Sequence, residues 1–247
     1  MKPASKTPER QPMNHNHTMK NTEIAFILDR SGSMQSMTNA AISGFNEFLK
    51  AQQATLDDHG KPIPATFTLI LFDHEYLAVH NRQDIQTARP LTLETYQPRG
   101  NTALLDAIGR TIDYIGNELA TTSEAERPAK VIIAILTDGE ENASQLFSMA
   151  DINQRITHQT ETYQWEFMFL GANQDAIATA ALMGIHSRQA ATFAADADDI
   201  QACNVVFSKR ISTSRKVSSM CTLNEEESAT FKESMEETLQ KSRKEKK

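Results

Sequence analysis

Ile24 to Leu28 is an apolar, β-rich run that stops at Asp29-Arg30-Ser31-Gly32-Ser33-Met34. A run of that length followed by a Gly-containing polar hexapeptide predicts a buried strand and the loop at its carboxyl end. Open α/β sheets place their ligands at that edge. The hexapeptide offers a carboxylate and two hydroxyls at alternate positions: Asp29, Ser31 and Ser33. Hard oxygen donors of this kind suit Mg²⁺ or Mn²⁺, but three are too few to hold such an ion alone. The remaining donors must come from elsewhere in the chain.

The pattern that follows alternates between strands and helices. Ala41, Ile42, Phe45, Phe48 and Leu49 recur at helical spacing and predict a helix from about Thr38 to Ala54, capped by Thr38 or Ser36. Thr66–Phe72 reads as a second strand and Glu75–His80 as a third. The Asp73-His74 link is too short for a crossover, so these two form an antiparallel edge hairpin, with His74 and His80 read as solvated. After an irregular stretch from Asn81 to Pro98, Arg99-Gly100-Asn101-Thr102 opens an amphipathic helix whose apolar face is Leu104, Ile108, Ile112, Ile115 and Leu119.

Val131–Leu136 is the most hydrophobic run and predicts a central strand buried on both faces. It leads into Thr137-Asp138-Gly139-Glu140-Glu141-Asn142, then into a helix with Leu146, Met149, Ile152 and Ile156 on its inner face. Trp165–Leu170 is the next strand, with Gly171-Ala172-Asn173 as its exit loop. A short helix over Asp175–Met183 and a weak strand near Ala190–Phe193 follow. The expected fold class is α/β: a Rossmann-like, doubly wound, mostly parallel central sheet with one antiparallel edge strand and helices on both faces. Gly32, Gly100, Gly139 and Gly171 all fall in loops that this topology gathers on one edge.

The two ends read differently from the middle. Residues 1–20 are polar and aperiodic and carry Pro3, Pro8 and Pro12, which predicts a disordered leader. His15 and His17 belong to that tail and read as solvated rather than metal-ligating. The expected α/β domain covers 21–208, a basic, Ser-rich linker 209–221, and a charged C-terminal helix 222–247. Val205 and Phe207 indicate one more element of unassigned type. Thr222-Leu223-Asn224-Glu225 has the form of a capping box. Phe231, Met235 and Leu239 form a narrow stripe that suits either docking on the chain's own domain or binding a partner.

Bulk properties exclude several classes. A net charge of −7 on 247 residues argues against a general nucleic-acid or anionic-membrane surface. Cys203 and Cys221 lack paired ligand spacing and suggest a reducing compartment. No apolar run approaches the length of a membrane span and no secretory signal is visible, so a cytoplasmic location is expected.

Three loops of the expected topology meet on one edge. They carry Asp29, Ser31 and Ser33, then Thr102, then Asp138. This set resembles the von Willebrand factor type A (vWA) domain with its metal-ion-dependent adhesion site (MIDAS). DRSGSM matches the D-x-S-x-S of that family, Thr102 in RGNTALLDAI its second-loop threonine, and Asp138 in LTDGEEN its third-loop aspartate. FLGANQDA is similar to the matching stretch of stand-alone bacterial members. The resemblance spans roughly residues 22–195 and leaves out the leader and the C-terminal helix.

The resemblance implies a Mg²⁺ or Mn²⁺ ion touched by the hydroxyls of Ser31, Ser33 and Thr102, with Asp29 and Asp138 acting largely through water. It implies a protein partner that offers Asp or Glu to the ion's open position, a preference that the helix start after Thr102 reinforces. Asp106 is read either as an acceptor that steadies the threonine loop or as an acid favoured at a helix start. Glu140, Glu141, Asn142 and Asn173 are read as rim residues, and Arg30 as meeting either a partner or an internal acid. The competing reading is a Mg²⁺-dependent hydrolase or phosphatase using Asp29. It is weakened because Ser31 stands where such chemistry wants a second acid, so no catalytic residue is expected. Gly32 stands alone where a nucleotide-binding loop needs several glycines.

Overall fold

The computed structural model describes residues 21–172 and 175–245. Among them, β1 (Thr22–Asp29), β2 (Ala65–Phe72), β3 (Tyr76–Asp84), β4 (Lys130–Thr137), β5 (Glu166–Gly171) and β6 (Ala190–Thr192) form one sheet in the order β3-β2-β1-β4-β5-β6. Every pairing is parallel except that of β3 with β2 at the edge. β1 is buried along all eight residues, which requires a strand on each side and a helical layer on each face. The order reverses at β1, where one neighbour is β2 and the other β4. That switch opens a crevice at the carboxyl end of β1.

The helices are α1 (Thr38–Gln53), α2 (Leu104–Thr121), α3 (Met149–Tyr163), α4 (Ala176–Leu182), α5 (Ala197–Ser218), α6 (Glu225–Lys232) and α7 (Met235–Glu245). Alternation along β1 assigns them to two cores. Ile24, Phe26 and Leu28 face α1, α5 and α7, where the Phe26 ring lies 4.8 Å from Phe48 and 5.3 Å from Phe207 between centroids. Ala25 and Ile27 face α2, α3 and α4, packing with Ile108, Ile112, Ile152 and Ile156. No helix among the described residues is long and apolar enough to cross a membrane.

Several expectations need correction. α3 begins only at Met149, because Ser148 and Asp151 form a capping box there, and Leu146 lies ahead of it, exposed. His80 is buried rather than solvated, with Nε2 2.8 Å from the Arg89 carbonyl. His74 is about half exposed, as expected of a hairpin residue. The leader and its His15 and His17 lie outside the described residues.

The largest departure is the expected linker. Residues 209–218 are the second half of α5, which crosses the anticipated domain boundary and contains Val205 and Phe207 as well. Its buried face includes Arg210, Thr213, Ser214 and Arg215, residues that a hydropathy reading assigns to solvent. Arg215 is fully buried. Its Nη1 donates to the Gln52 carbonyl at 2.6 Å, and its Nη2 to the Ile63 carbonyl at 2.6 Å. Burial lowers its pKa to about 10. The guanidinium thus ties α5 to the end of α1 and to the approach to β2.

The C-terminal helix is two helices. Asn224, not Thr222, caps α6 in a box with Glu227, and a break at Glu233-Ser234 precedes α7. The break rotates the stripe, so Met235 and Leu239 are buried in the core while Phe231 stays half exposed. α7 docks on its own domain: Glu236 accepts from Thr192 N at 3.0 Å, and Arg243 Nε donates to Asp199 at 2.9 Å.

Arg215→Leu keeps bulk but strands two buried carbonyls. We expect it to lower unfolding free energy by about 2–4 kcal/mol in urea melts; a loss under about 0.5 kcal/mol would show that this anchor does not hold α5.

Candidate metal centre

The site is built from the end of β1 outward. Asp29 is fully buried. Its Oδ1 accepts from Ser31 N at 2.6 Å and its Oδ2 from Thr137 Oγ1 at 2.5 Å. The chain then turns through a short 3-10 segment, Gly32–Met37, which leaves Ser31 Oγ and Ser33 Oγ 3.0 Å apart. Ser33 Oγ donates to Asp138 Oδ1 at 2.7 Å, joining segments 105 residues apart. Thr102 Oγ1 lies against Gly139, where an added Cβ would come within 2.7 Å of it and 3.5 Å of Ser31 Oγ. The structure thus gathers Asp29, Ser31, Ser33, Thr102 and Asp138 on one edge. Asp29, Ser31 and Thr102 are buried, whereas Ser33 is exposed and Asp138 partly so. The set therefore opens to solvent on its Ser33–Asp138 side.

Electrostatics favour a positive guest. Burial raises the pKa of Asp29, against the hydrogen bonds from Thr137 and Ser31. Asp138 is pushed up to about 6, chiefly by burial and further by the charge of Asp29, while the Ser33 hydroxyl opposes the shift. Two acids whose ionised forms are disfavoured by burial gain from a nearby cation. Among the described residues no three His, Cys, Asp or Glu side chains cluster as metal ligands. The donors here are carboxylate and hydroxyl oxygens, the chemistry of a hard ion.

The neighbours mostly hold the loops. Asn142 N donates to the Thr102 carbonyl and Asn142 Oδ1 accepts from Thr102 N, both at 3.0 Å. Asn142 therefore positions the threonine, a more specific part than the rim reading gave it. Glu141 accepts from Leu105 N at 2.9 Å at the start of α2 and from Ser144 N at 2.7 Å in its own loop. Asp106 accepts from Gln145, Leu146 and Phe147 N at 2.9–3.0 Å; it steadies the loop before α3, not the threonine loop. Glu140 is exposed, and Asn173 lies outside the described residues. Arg30 meets internal acids, 3.1 Å from Asp73 and 3.6 Å from Glu75. Arg99 Nε approaches the same Asp73 carboxylate at 3.1 Å. Gly32 N to Gly100 O (3.1 Å), Arg99 N to Arg30 O (2.8 Å) and Ala103 N to Asp73 O (2.8 Å) complete the splice of the first two loops. Gly100 has φ +65, and the His74 ring fills the space that a Cβ there would need.

Two contributors had no place in the sequence reading. Thr137 is the last residue of β4 and holds Asp29; its hydroxyl next to Asp138 was the available signal. Tyr96 donates from its hydroxyl to the Asp29 carbonyl at 2.6 Å. Burial raises its phenol well above the ordinary value, and the charge of Asp29 adds to the shift. It sits in the irregular stretch before Thr102, where nothing local points to that role.

No protein-family model and no curated protein sequence matches the chain. Solved structures do. The pilus adhesin SpaC from Lactobacillus rhamnosus GG aligns with a TM-score of 0.57 and 16% identity, over 80% of this chain and 31% of that one. Proximal thread matrix protein 1 from the mussel byssus, in a structure with a zinc-occupied MIDAS motif, aligns with a TM-score of 0.53 and 11% identity, over 77% of this chain and 48% of that one. The chain thus spans less than half the length of either. At such identities the likeness is one of fold, and the fold is the Rossmann-like vWA arrangement.

Thr137→Val removes one donor to the buried Asp29 carboxylate at nearly constant volume. The expected cost is about 1–3 kcal/mol by urea unfolding at neutral pH. An unchanged midpoint would mean that Asp29 does not depend on that hydroxyl.

Proposed function

We propose that Asp29, Ser31, Ser33, Thr102 and Asp138 hold one Mg²⁺ or Mn²⁺ ion, and that this ion captures an Asp or Glu side chain of a protein partner. The observation that carries the reading is the link from Ser33 Oγ to Asp138 Oδ1 at 2.7 Å, with Thr102 Oγ1 facing the same third loop at Gly139. Folding alone does not require three hydroxyls and two acids from three loops at one solvent-open edge.

In this reading Ser31, Ser33 and Thr102 are the direct ligands. Asp29 and Asp138 supply the balancing charge and hold bound water. The ion supplies an electrophilic position, because neutral hydroxyls leave much of its charge uncompensated. α2 begins at Leu104, two residues after Thr102, so its positive end adds to the preference for an anion. The mussel protein's zinc-occupied MIDAS and the adhesin character of SpaC support metal-dependent protein binding. The free thiols of Cys203 and Cys221 favour a reducing, cytoplasmic setting.

The hydrolase alternative fares less well. Both oxygens of Asp29 accept hydrogen bonds from the protein and the residue is fully buried. A nucleophilic carboxylate must instead present a free oxygen to its substrate.

Mg²⁺ at a hundred times its Kd should stabilise the wild type by about 2.7 kcal/mol, read as a rise in melting temperature of about 5–10 °C. Ser33→Ala and Thr102→Ala should abolish the rise, each measured against its own metal-free melt. A wild type indifferent to Mg²⁺ and Mn²⁺ would end this reading. Affinity capture with and without chelator tests the second half: partners retained equally in both would place recognition elsewhere.

A further inference from the structure

β6 is only three residues long, and that brevity leaves a hollow at the opposite end of the sheet from the metal centre. It pairs with Phe169, Leu170 and Gly171 of β5 and no further. Before it the chain runs through a 3-10 turn at Ser187–Gln189 instead of extending the ladder along Glu166 to Met168. The result is a cavity of about 410 Å³ bounded by α3, β5, α5 and α6. Trp165, Phe167, Ile185 and Phe231 give it apolar walls. Phe231 is 49% exposed, an uncovered aromatic ring at the cavity's border.

Arg210 supplies the buried charge, and Arg188 is an exposed cation on the same lining. Arg210 lines the cavity, is 8% exposed, and forms no ion pair among the described residues. Its Nη1 donates to the carbonyls of Thr230 and Glu233, each at 2.7 Å, and its Nη2 to Gln189 Oε1 at 2.9 Å. A guanidinium carries five N–H donors. Two of them staple the end of α6 and a third holds Gln189 in the turn before β6, which leaves Nε–H and one Nη2–H without a partner among the described residues. Glu166, the acid on this wall, is already engaged by Lys130 Nζ at 2.8 Å and Ser214 Oγ at 2.7 Å. Burial pulls the Arg210 pKa below its ordinary value, with the charge of Glu166 opposing the shift. A buried cation with unmatched donors beside an apolar hollow gains most from an anion that brings its own apolar body.

We propose that this cavity binds a small amphipathic anion, an apolar aromatic body carrying one carboxylate or sulfonate, with the anionic group on Arg210 and the body against Trp165 and Phe231.

Trp165 is the chain's one tryptophan, so energy transfer from it reports occupancy directly. The probe is 1-anilinonaphthalene-8-sulfonate, and the comparator is N-phenyl-1-naphthylamine, the same body without the anion. On the full chain, the sulfonate should bind saturably at one per protein with energy transfer from Trp165, and the neutral comparator at least roughly tenfold more weakly. Arg210→Gln should erase that preference. Thr160→Phe, on an exposed α3 position lining the same cavity, should plug it without touching the Arg210 bonds, and it decides the matter if Arg210→Gln fails to fold. Arg127→Gln, in the neighbouring cleft that shares Trp165, should change nothing. No saturable binding, equal binding of the neutral compound, insensitivity to Thr160→Phe, or loss on Arg127→Gln would each overturn the proposal.

Discussion

A carboxylate with no exposure to water sits at the end of the most buried strand, and the loops of the site are arranged around keeping it there. Asp29 is neutral to the fold only while its oxygens are satisfied, because an unpaired buried charge costs several kcal/mol. Ser31 N satisfies one oxygen from the same loop and Thr137 Oγ1 the other from the end of β4. The second of these bonds fixes the first loop against the third. Tyr96 then pins the Asp29 carbonyl, and Arg99, Gly100 and Ala103 tie in the second loop. The hydroxyls of Ser31, Ser33 and Thr102 are therefore held by backbone geometry rather than by one another alone. This is the preorganisation that a metal needing near-octahedral geometry demands.

The far side of the molecule solves a similar problem by other means. α5 buries arginines, and among the described residues neither Arg215 nor Arg210 meets its charge with a carboxylate partner; each donates chiefly to backbone carbonyls. Carbonyls at the ends of helices are the groups left without intrahelical partners. A guanidinium answers several at once because its donors diverge in a plane. Arg215 uses this to seat α5 on α1, and the seat carries Phe207 onto Phe26 in the core. Arg210 does the same for the end of α6, but only in part.

What could be read in the chain follows from where its information is local. β1 and β4 are continuous apolar runs because both faces are covered, so they stand out in the sequence. The amphipathic α2 shows its period plainly because only one face is buried. Asp29, Ser31, Ser33, Thr102 and Asp138 were legible because each lies within a few residues of a strand end or a helix start, in a loop of special composition. α5 was not legible, since a buried face of arginine, threonine and serine looks like solvent-facing linker unless its distant carbonyl partners are known. The stripe of Phe231, Met235 and Leu239 left docking and partner binding equally open, because the break at Glu233-Ser234, which changes the helical phase between the first and the second, has no clear mark in the sequence. Asn142 and Tyr96 act on residues 40 and 67 positions away, and no local pattern encodes such partners.

The most direct test of the central claim is anomalous diffraction from crystals grown with Mn²⁺. The account predicts one strong peak among Ser31 Oγ, Ser33 Oγ and Thr102 Oγ1, absent from crystals of Thr102→Ala. Ordered density for all three loops with no peak there, or with manganese bound only elsewhere, would contradict it.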